Sequence, residues 1–106
     1  MQHLTSNTQF EQLINNPENT PVLVDFHTQW CGPCKMLNPV VEAIAEQYAS
    51  KLKVLKVDAD EFQQIAAKYS VRGIPTLMMF KQGMPASSKV GVGTMNQIEA
   101  FVSEQL

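Results

Sequence analysis

The segment Val22-Leu23-Val24-Asp25-Phe26 sets the tightest limit on what this chain can fold into. A strand with this sequence is apolar on both faces except at Asp25, so both faces must be covered, and the covering elements in such a sheet are helices. The chain therefore reads as an α/β protein with this strand near the centre of its sheet. Upstream, Thr8 to Asn16 carries Phe10, Leu13 and Ile14 at helical spacing and is stopped by Asn16-Pro17 and Asn19-Thr20-Pro21. Downstream of Cys34, the apolar positions Leu37, Val40, Val41, Ile44, Ala45 and Tyr48 predict a long amphipathic helix, kinked at Pro39 and ending near Ser50.

Leu52 to Val57 predicts a second buried strand, and Asp60 a cap for a short helix bearing Phe62, Ile65, Ala66 and Tyr69. After Arg72-Gly73-Ile74-Pro75 the pattern changes. Thr76 to Phe80 and Lys89 to Val92 predict two short strands around a turn containing Gly83, and Thr94 caps a closing helix with Met95, Ile98, Phe101 and Val102 on one face. The six methionines are expected to fill the core. Together these elements predict a three-layer α/β/α sandwich over residues 1–106 as one domain. Its mixed sheet has about five strands and about four helices, parallel in the first half and closed by an antiparallel hairpin.

At 106 residues and 44% hydrophobic composition, the chain can bury such a core without staples. Eight Lys and Arg against ten Asp and Glu leave a formal charge of −2 and no basic stripe, which argues against nucleic acid as a ligand. No apolar stretch approaches the roughly 18 residues of a membrane span. Met1 to Ser6 lacks the basic start and apolar run of a secretory signal, so the expected location is the cytoplasm.

The two cysteines are Cys31 and Cys34. A bridge between them closes a very small loop and removes little entropy from the unfolded chain, so it makes a poor structural staple. In a reducing compartment, a vicinal pair that cycles between dithiol and disulfide is the better reading. The pair lies in Trp30-Cys31-Gly32-Pro33-Cys34-Lys35, where the central strand hands over to the long helix. Cys31 falls at the helix N-terminus, where unpaired N–H groups and the macrodipole lower a thiol pKa, which makes it the expected nucleophile. Gly32 lets a target backbone come close, Pro33 suits a first helical turn, and Lys35 adds positive charge. Cys34, one turn in, is placed to resolve. Asp25, a lone carboxylate in an apolar strand, should have a raised pKa, which makes it a proton acceptor near neutral pH placed under the cysteines. Alternatively Asp25 is an outward-facing strand end, or a partner for Lys56 only.

Val24-Asp25-Phe26, Trp30 through Met36, Pro39, Lys56, Arg72-Gly73-Ile74-Pro75-Thr76, Gly83 and Lys89-Val90-Gly91 together resemble the thioredoxin family over essentially the whole chain. The resemblance implies a cis peptide before Pro75, facing the cysteine pair. It also implies a shallow apolar docking surface from Trp30, Gly73, Ile74, Pro75 and Gly91, with the Ile74 backbone pairing to an extended target segment. The implied activity is protein disulfide reduction by exchange through a redox-active Cys31–Cys34 disulfide, with Asp25, acting through a water and tuned by Lys56 on the neighbouring strand, taking the Cys34 proton. No bound cofactor is expected; electrons would come from NADPH through a separate flavoprotein, a thioredoxin reductase. The expected partners are that reductase and disulfide-containing proteins, met by a monomer without nucleic acid or membrane.

His27 departs from the family pattern, which very often has Trp there. It reads either as a neutral packed ring or as an imidazolium that stabilises the thiolate and makes the pair more oxidising, as in an isomerase. Other readings stay open: a binding or scaffold subunit independent of redox, a glutaredoxin-like activity, or a metal site from Cys31, Cys34, His27 and His3.

Overall fold

The computed structural model describes residues 1–106. In chain order the elements are β1 (Gln2–His3), α1 (Asn7–Ile14), β2 (Val22–His27), α2 (Gly32–Gln47), β3 (Lys53–Asp58), α3 (Gln63–Lys68), β4 (Thr76–Lys81), β5 (Met84–Val90) and α4 (Met95–Ser103). The five strands form one sheet in the order β1-β3-β2-β4-β5, so the strand expected at the centre is there. β1 and β2 both pair with β3 in parallel, and β4 pairs antiparallel to β2 and to β5.

Alternation along β2 divides the core. Val22, Val24 and Phe26 join Phe10, Ile14, Phe62, Ile65 and Phe80 on the side of α1 and α3. Leu23 joins Leu37, Val41, Ile44, Leu77, Ile98 and Val102 on the side of α2 and α4. By the same period of two, Asp25 lies on the α2 side, as does its register partner Lys56. Side-chain alternation along the central strand is therefore what puts the carboxylate on the face of the sheet that α2 covers.

Local chemistry explains the element ends. Asn16 is buried at the end of the first helix, donating to the Leu13 and Thr20 carbonyls while accepting from the Thr20 N–H. α4 opens with a complete capping box, Thr94 accepting from the Gln97 N–H and Gln97 from the Thr94 N–H. The hairpin turn is Gln82-Gly83, with φ of 52° and 79°, and Lys81 faces Met84 across it. Positive φ at both turn residues matches the right-handed twist of the flanking strands, and Gly adopts it without strain.

Four expectations are corrected. Asp60 does not cap α3: Phe62 stands at the N-cap, while Asp58 accepts from the Asp60 and Glu61 N–H groups. α2 ends at Gln47, where Tyr48 closes on the Ile44 carbonyl, so the residues up to Ser50 form a turn. β5 begins at Met84 and stops at Val90, because Gly91 turns away with φ 91° and donates to the Pro75 carbonyl at 2.8 Å. Met84-Pro85-Ala86-Ser87-Ser88 shows no apolar alternation, and Pro85 is tolerated because β5 is an edge strand. The two-residue β1 carries no pattern of its own and exists through pairing with β3. Met78 and Met79 are buried as expected, but Met36 and Met84 are 72% and 68% exposed, so core filling does not account for them.

Candidate functional site

The site forms where β2 passes into α2. Cys31 is the N-cap of the helix, and its Sγ takes the place of a capping oxygen by accepting the Cys34 N–H at 3.2 Å. Gly32 and Pro33 occupy the first two helical positions, where the missing proline N–H costs nothing. Cys31 and Cys34 are joined in a disulfide with Cα atoms 5.3 Å apart, and both residues are buried. Gly32, Pro33 and Lys35 are exposed around them. A Cβ on Gly32 would meet nothing within 4 Å in the chain, so that glycine answers no packing need of the fold.

The apolar rim comes from three places in the sequence. Trp30 is 71% exposed, with its ring held by an indole N–H donated to Asp60 Oδ2 at 2.6 Å. Gly73 and Ile74 are half-buried, Pro75 is buried, and the Ile74–Pro75 peptide is cis. A Cβ on Gly73 would approach Val90 Cγ1 to 3.1 Å, which brings the end of β5 against this loop. Thr28, Trp30, Asp60, Gln63, Arg72 and Ile74 help to line a depression of about 350 Å³ beside the tryptophan.

Asp25 is buried on the strand below. Burial raises its pKa from the ordinary 3.8 to about 6, and the Lys56 ammonium offsets part of that rise. Neither carboxyl oxygen has a hydrogen-bond partner among protein groups. An outward-facing strand end is therefore excluded, and so is a direct pair with Lys56, whose ammonium donates to Asn38 Oδ1 on α2. The residues named from sequence thus fall into two groups. Cys31, Gly32, Pro33, Cys34, Lys35, Asp25 and Lys56 belong to the junction of β2, α2 and β3, while Trp30, Gly73, Ile74, Pro75 and Gly91 belong to the rim.

Sequence reasoning missed Asn38 as the partner of Lys56 and Asp60 as the partner of Trp30. Asn38 could have been found, since it lies four residues after Cys34 and so shares its helix face. Asp60 carried no such signal, because its contact with Trp30 joins segments thirty residues apart.

The His27 ring is half-buried at the end of β2, opposite Asp58 in register. Burial first, and then the Lys56 ammonium, lower its pKa below the ordinary 6.5, outweighing the opposing pull of Asp58. With the cysteines joined in a disulfide this favours the neutral ring, in line with the packed-ring reading rather than the oxidising one. His27→Trp should accordingly change the reduction potential of the cysteine pair at pH 7 by less than ~30 mV in a thiol-buffer titration; a larger fall would restore the imidazolium reading. No three of the His, Cys, Asp and Glu side chains converge as a metal site would require.

The family model described as Thioredoxin matches residues 1–104. The chain is 47% identical over 97 residues to a thioredoxin of Pseudomonas aeruginosa, covering 92% of this chain and 89% of that one. It is 45% identical over 96 residues to a thioredoxin of Porphyra purpurea, covering 91% and 88%. Among solved structures it superimposes on Plasmodium falciparum thioredoxin with a TM-score of 0.90 at 28% identity, covering 100% of both chains. Malassezia sympodialis thioredoxin gives 0.89 at 35% identity, covering 98% of this chain and 89% of that one.

Proposed function

Because the chain belongs to the thioredoxin family and so is a protein disulfide reductase that works by dithiol–disulfide exchange, we propose that Cys31 is its nucleophile, Cys34 its resolving thiol and Asp25 its proton acceptor. The observation that carries this assignment is the Cys34 N–H aimed at Cys31 Sγ from the first turn of α2. A donor there, with the helix macrodipole behind it, favours a thiolate on Cys31 in the reduced chain.

The exchange balances in two steps. The Cys31 thiolate attacks one sulfur of a target disulfide, forming a mixed disulfide and releasing the other target sulfur as a thiolate that takes a proton. Cys34 then gives its proton, through a water, to the Asp25 carboxylate and attacks Cys31 Sγ. The Cys31–Cys34 bond forms as the bond from Cys31 to the target breaks, the second target sulfur leaves as a thiolate and takes up the proton given to Asp25, and two electrons have passed from the chain to the target, now a dithiol. A carboxyl with a pKa of about 6 is ionised, and so able to accept, at neutral pH, yet basic enough to be useful. Lys56 tunes it. Trp30, Gly73, Ile74, Pro75 and Gly91 hold the target segment, with Gly32, Pro33 and Lys35 shaping access to the sulfurs.

The partners are disulfide-containing proteins and a reductase that restores the dithiol. We assign the recycling to a separate NADPH-dependent flavoprotein, and place the chain in the cytoplasm as a monomer and a single domain. Family membership supports these assignments, and no helix is long and apolar enough to cross a membrane. The roles of the two cysteines are tested by alkylating the reduced chain over a range of pH. Cys31 should react first and with a midpoint below the ordinary thiol value of about 8.5. Faster reaction at Cys34 would reverse the assignment.

A further inference from the structure

Lys56 is buried, so its ammonium must find its hydrogen bonds inside the protein. The nearest acid by strand register is Asp25, directly across from it on β2. Yet the two ion pairs in the chain are Lys53–Glu18 and Lys68–Glu11, both on the surface. The Lys56 ammonium donates instead to the amide oxygen of Asn38, and both Asp25 oxygens are left without a hydrogen bond from any protein group. Asn38 lies one helical turn beyond Cys34, on the face of α2 that looks toward the sheet at this level.

A neutral amide satisfies the ammonium without carrying a charge of its own. Were Lys56 to bond the carboxylate directly, it would stabilise the ionised form and lower the proton affinity of Asp25, making it a poorer acceptor for a thiol proton. The other groups around Asp25 do not supply an alternative control. β4 places uncharged Leu77 opposite it, and α4 lines this side of the sheet with Ile98 and Val102. His27 follows on the same strand and Asp58 on β3, at the strand ends, while α2 brings Cys31 and Cys34, which do not titrate as a disulfide.

We propose that Asn38 is a positioning residue for the exchange reaction: by holding the Lys56 ammonium on α2 it keeps that charge from pairing with the Asp25 carboxylate, and so sets the proton affinity of Asp25. The proposal rests on Asp25 as proton acceptor for its consequence in catalysis, but its physical content concerns the carboxyl itself. Asn38 is a partly buried helical residue, and Asn38→Ala favours the helix, so the variant is expected to fold.

The test follows the ¹³C carboxyl resonance of Asp25 against pH in the disulfide form of the full chain, for the parent, Asn38→Ala, Lys56→Met and the double variant. Asn38→Ala should lower the Asp25 midpoint by about one unit, the low end of what a newly paired cation does to a carboxylate. In the Lys56→Met background the same substitution should leave the midpoint where it was. An unmoved or raised midpoint in the single variant overturns the proposal, and so does a downward shift that persists without Lys56. In parallel, the mixed disulfide of Cys31 with a coloured aromatic thiol reports the resolving step through release of that thiol. If its pH profile moves down with the carboxyl midpoint, both the Asn38 proposal and the acceptor role of Asp25 are supported. If the carboxyl moves and the profile does not, Asp25 is not the acceptor, while the control of its proton affinity by Asn38 stands.

Discussion

Asp25→Asn should yield a chain that is more stable than its parent above pH 7 and slower in turnover. The parent binds the Asp25 proton more tightly when folded, with a pKa of about 6 against the ordinary 3.8. Below about pH 3 the carboxyl is protonated in both folded and unfolded chains, and burial carries no ionisation cost. Between these values the unfolded chain ionises first, and stability falls as pH rises through the folded pKa. Above it both states are ionised and the whole penalty stands. A difference of about two units corresponds to ~3 kcal/mol, which the uncharged amide avoids. Urea denaturation at pH 8 should therefore show Asp25→Asn ahead by about that amount, with most of the advantage gone at pH 4. A pH-independent difference would show that burial of charge is not its cause. On the kinetic side the variant has no carboxylate to take the Cys34 proton, and loss of a general base costs ~100-fold or more in the step it serves. The first attack by Cys31 should be nearly unaffected. In the proposed mechanism, the stability lost by burying this acid is thus what makes its proton affinity useful.

The cysteine variants should separate the two exchange steps by a larger margin. Cys31→Ser removes the nucleophile and should reduce turnover at least ~1,000-fold, on the scale at which losing a covalent nucleophile acts. Cys34→Ala keeps the nucleophile and removes the means of release. It should react once with a disulfide-bonded protein and stop as a covalent adduct, visible as one target mass added per chain and cleared by dithiothreitol. The first-step rate should stay close to that of the parent, because the helix N-terminus and the Cys34 backbone N–H that favour the thiolate both survive the substitution. An adduct on Cys34 in the Cys31→Ser chain, formed as fast as the parent reacts, would exchange the two roles. A scaffold function independent of redox would leave cellular activity intact when both cysteines are replaced by Ser.

Local patterns in the sequence carried much of this. The apolar run broken only by Asp25 announced a strand covered on both faces, and Val22, Val24 and Phe26 against Leu23 show the two cores it feeds. The helix after Cys34 was legible from its spacing, and with it the N-terminal position of Cys31. Of β5 only the Lys89-Val90 end was legible, because an edge strand with Pro85 and two serines needs neither alternation nor a buried face. The exposure of Met36 and Met84 was equally hidden, since methionine is apolar wherever it stands.

Chemical identity and helix phase were therefore determined by sequence alone: two thiols one turn apart, the first at a helix N-terminus, and a lone acid in a strand that must be buried. Tertiary structure decided the partners. It set Trp30 on Asp60, brought the end of β5 against Gly73, and took the Lys56 ammonium to Asn38 rather than to the acid beside it in register. Burial can be read from a pattern because it depends on a residue's own polarity and period. Which of several reachable acceptors a long cationic side chain selects depends on the packing of a helix over a sheet, and that is settled only when the chain folds.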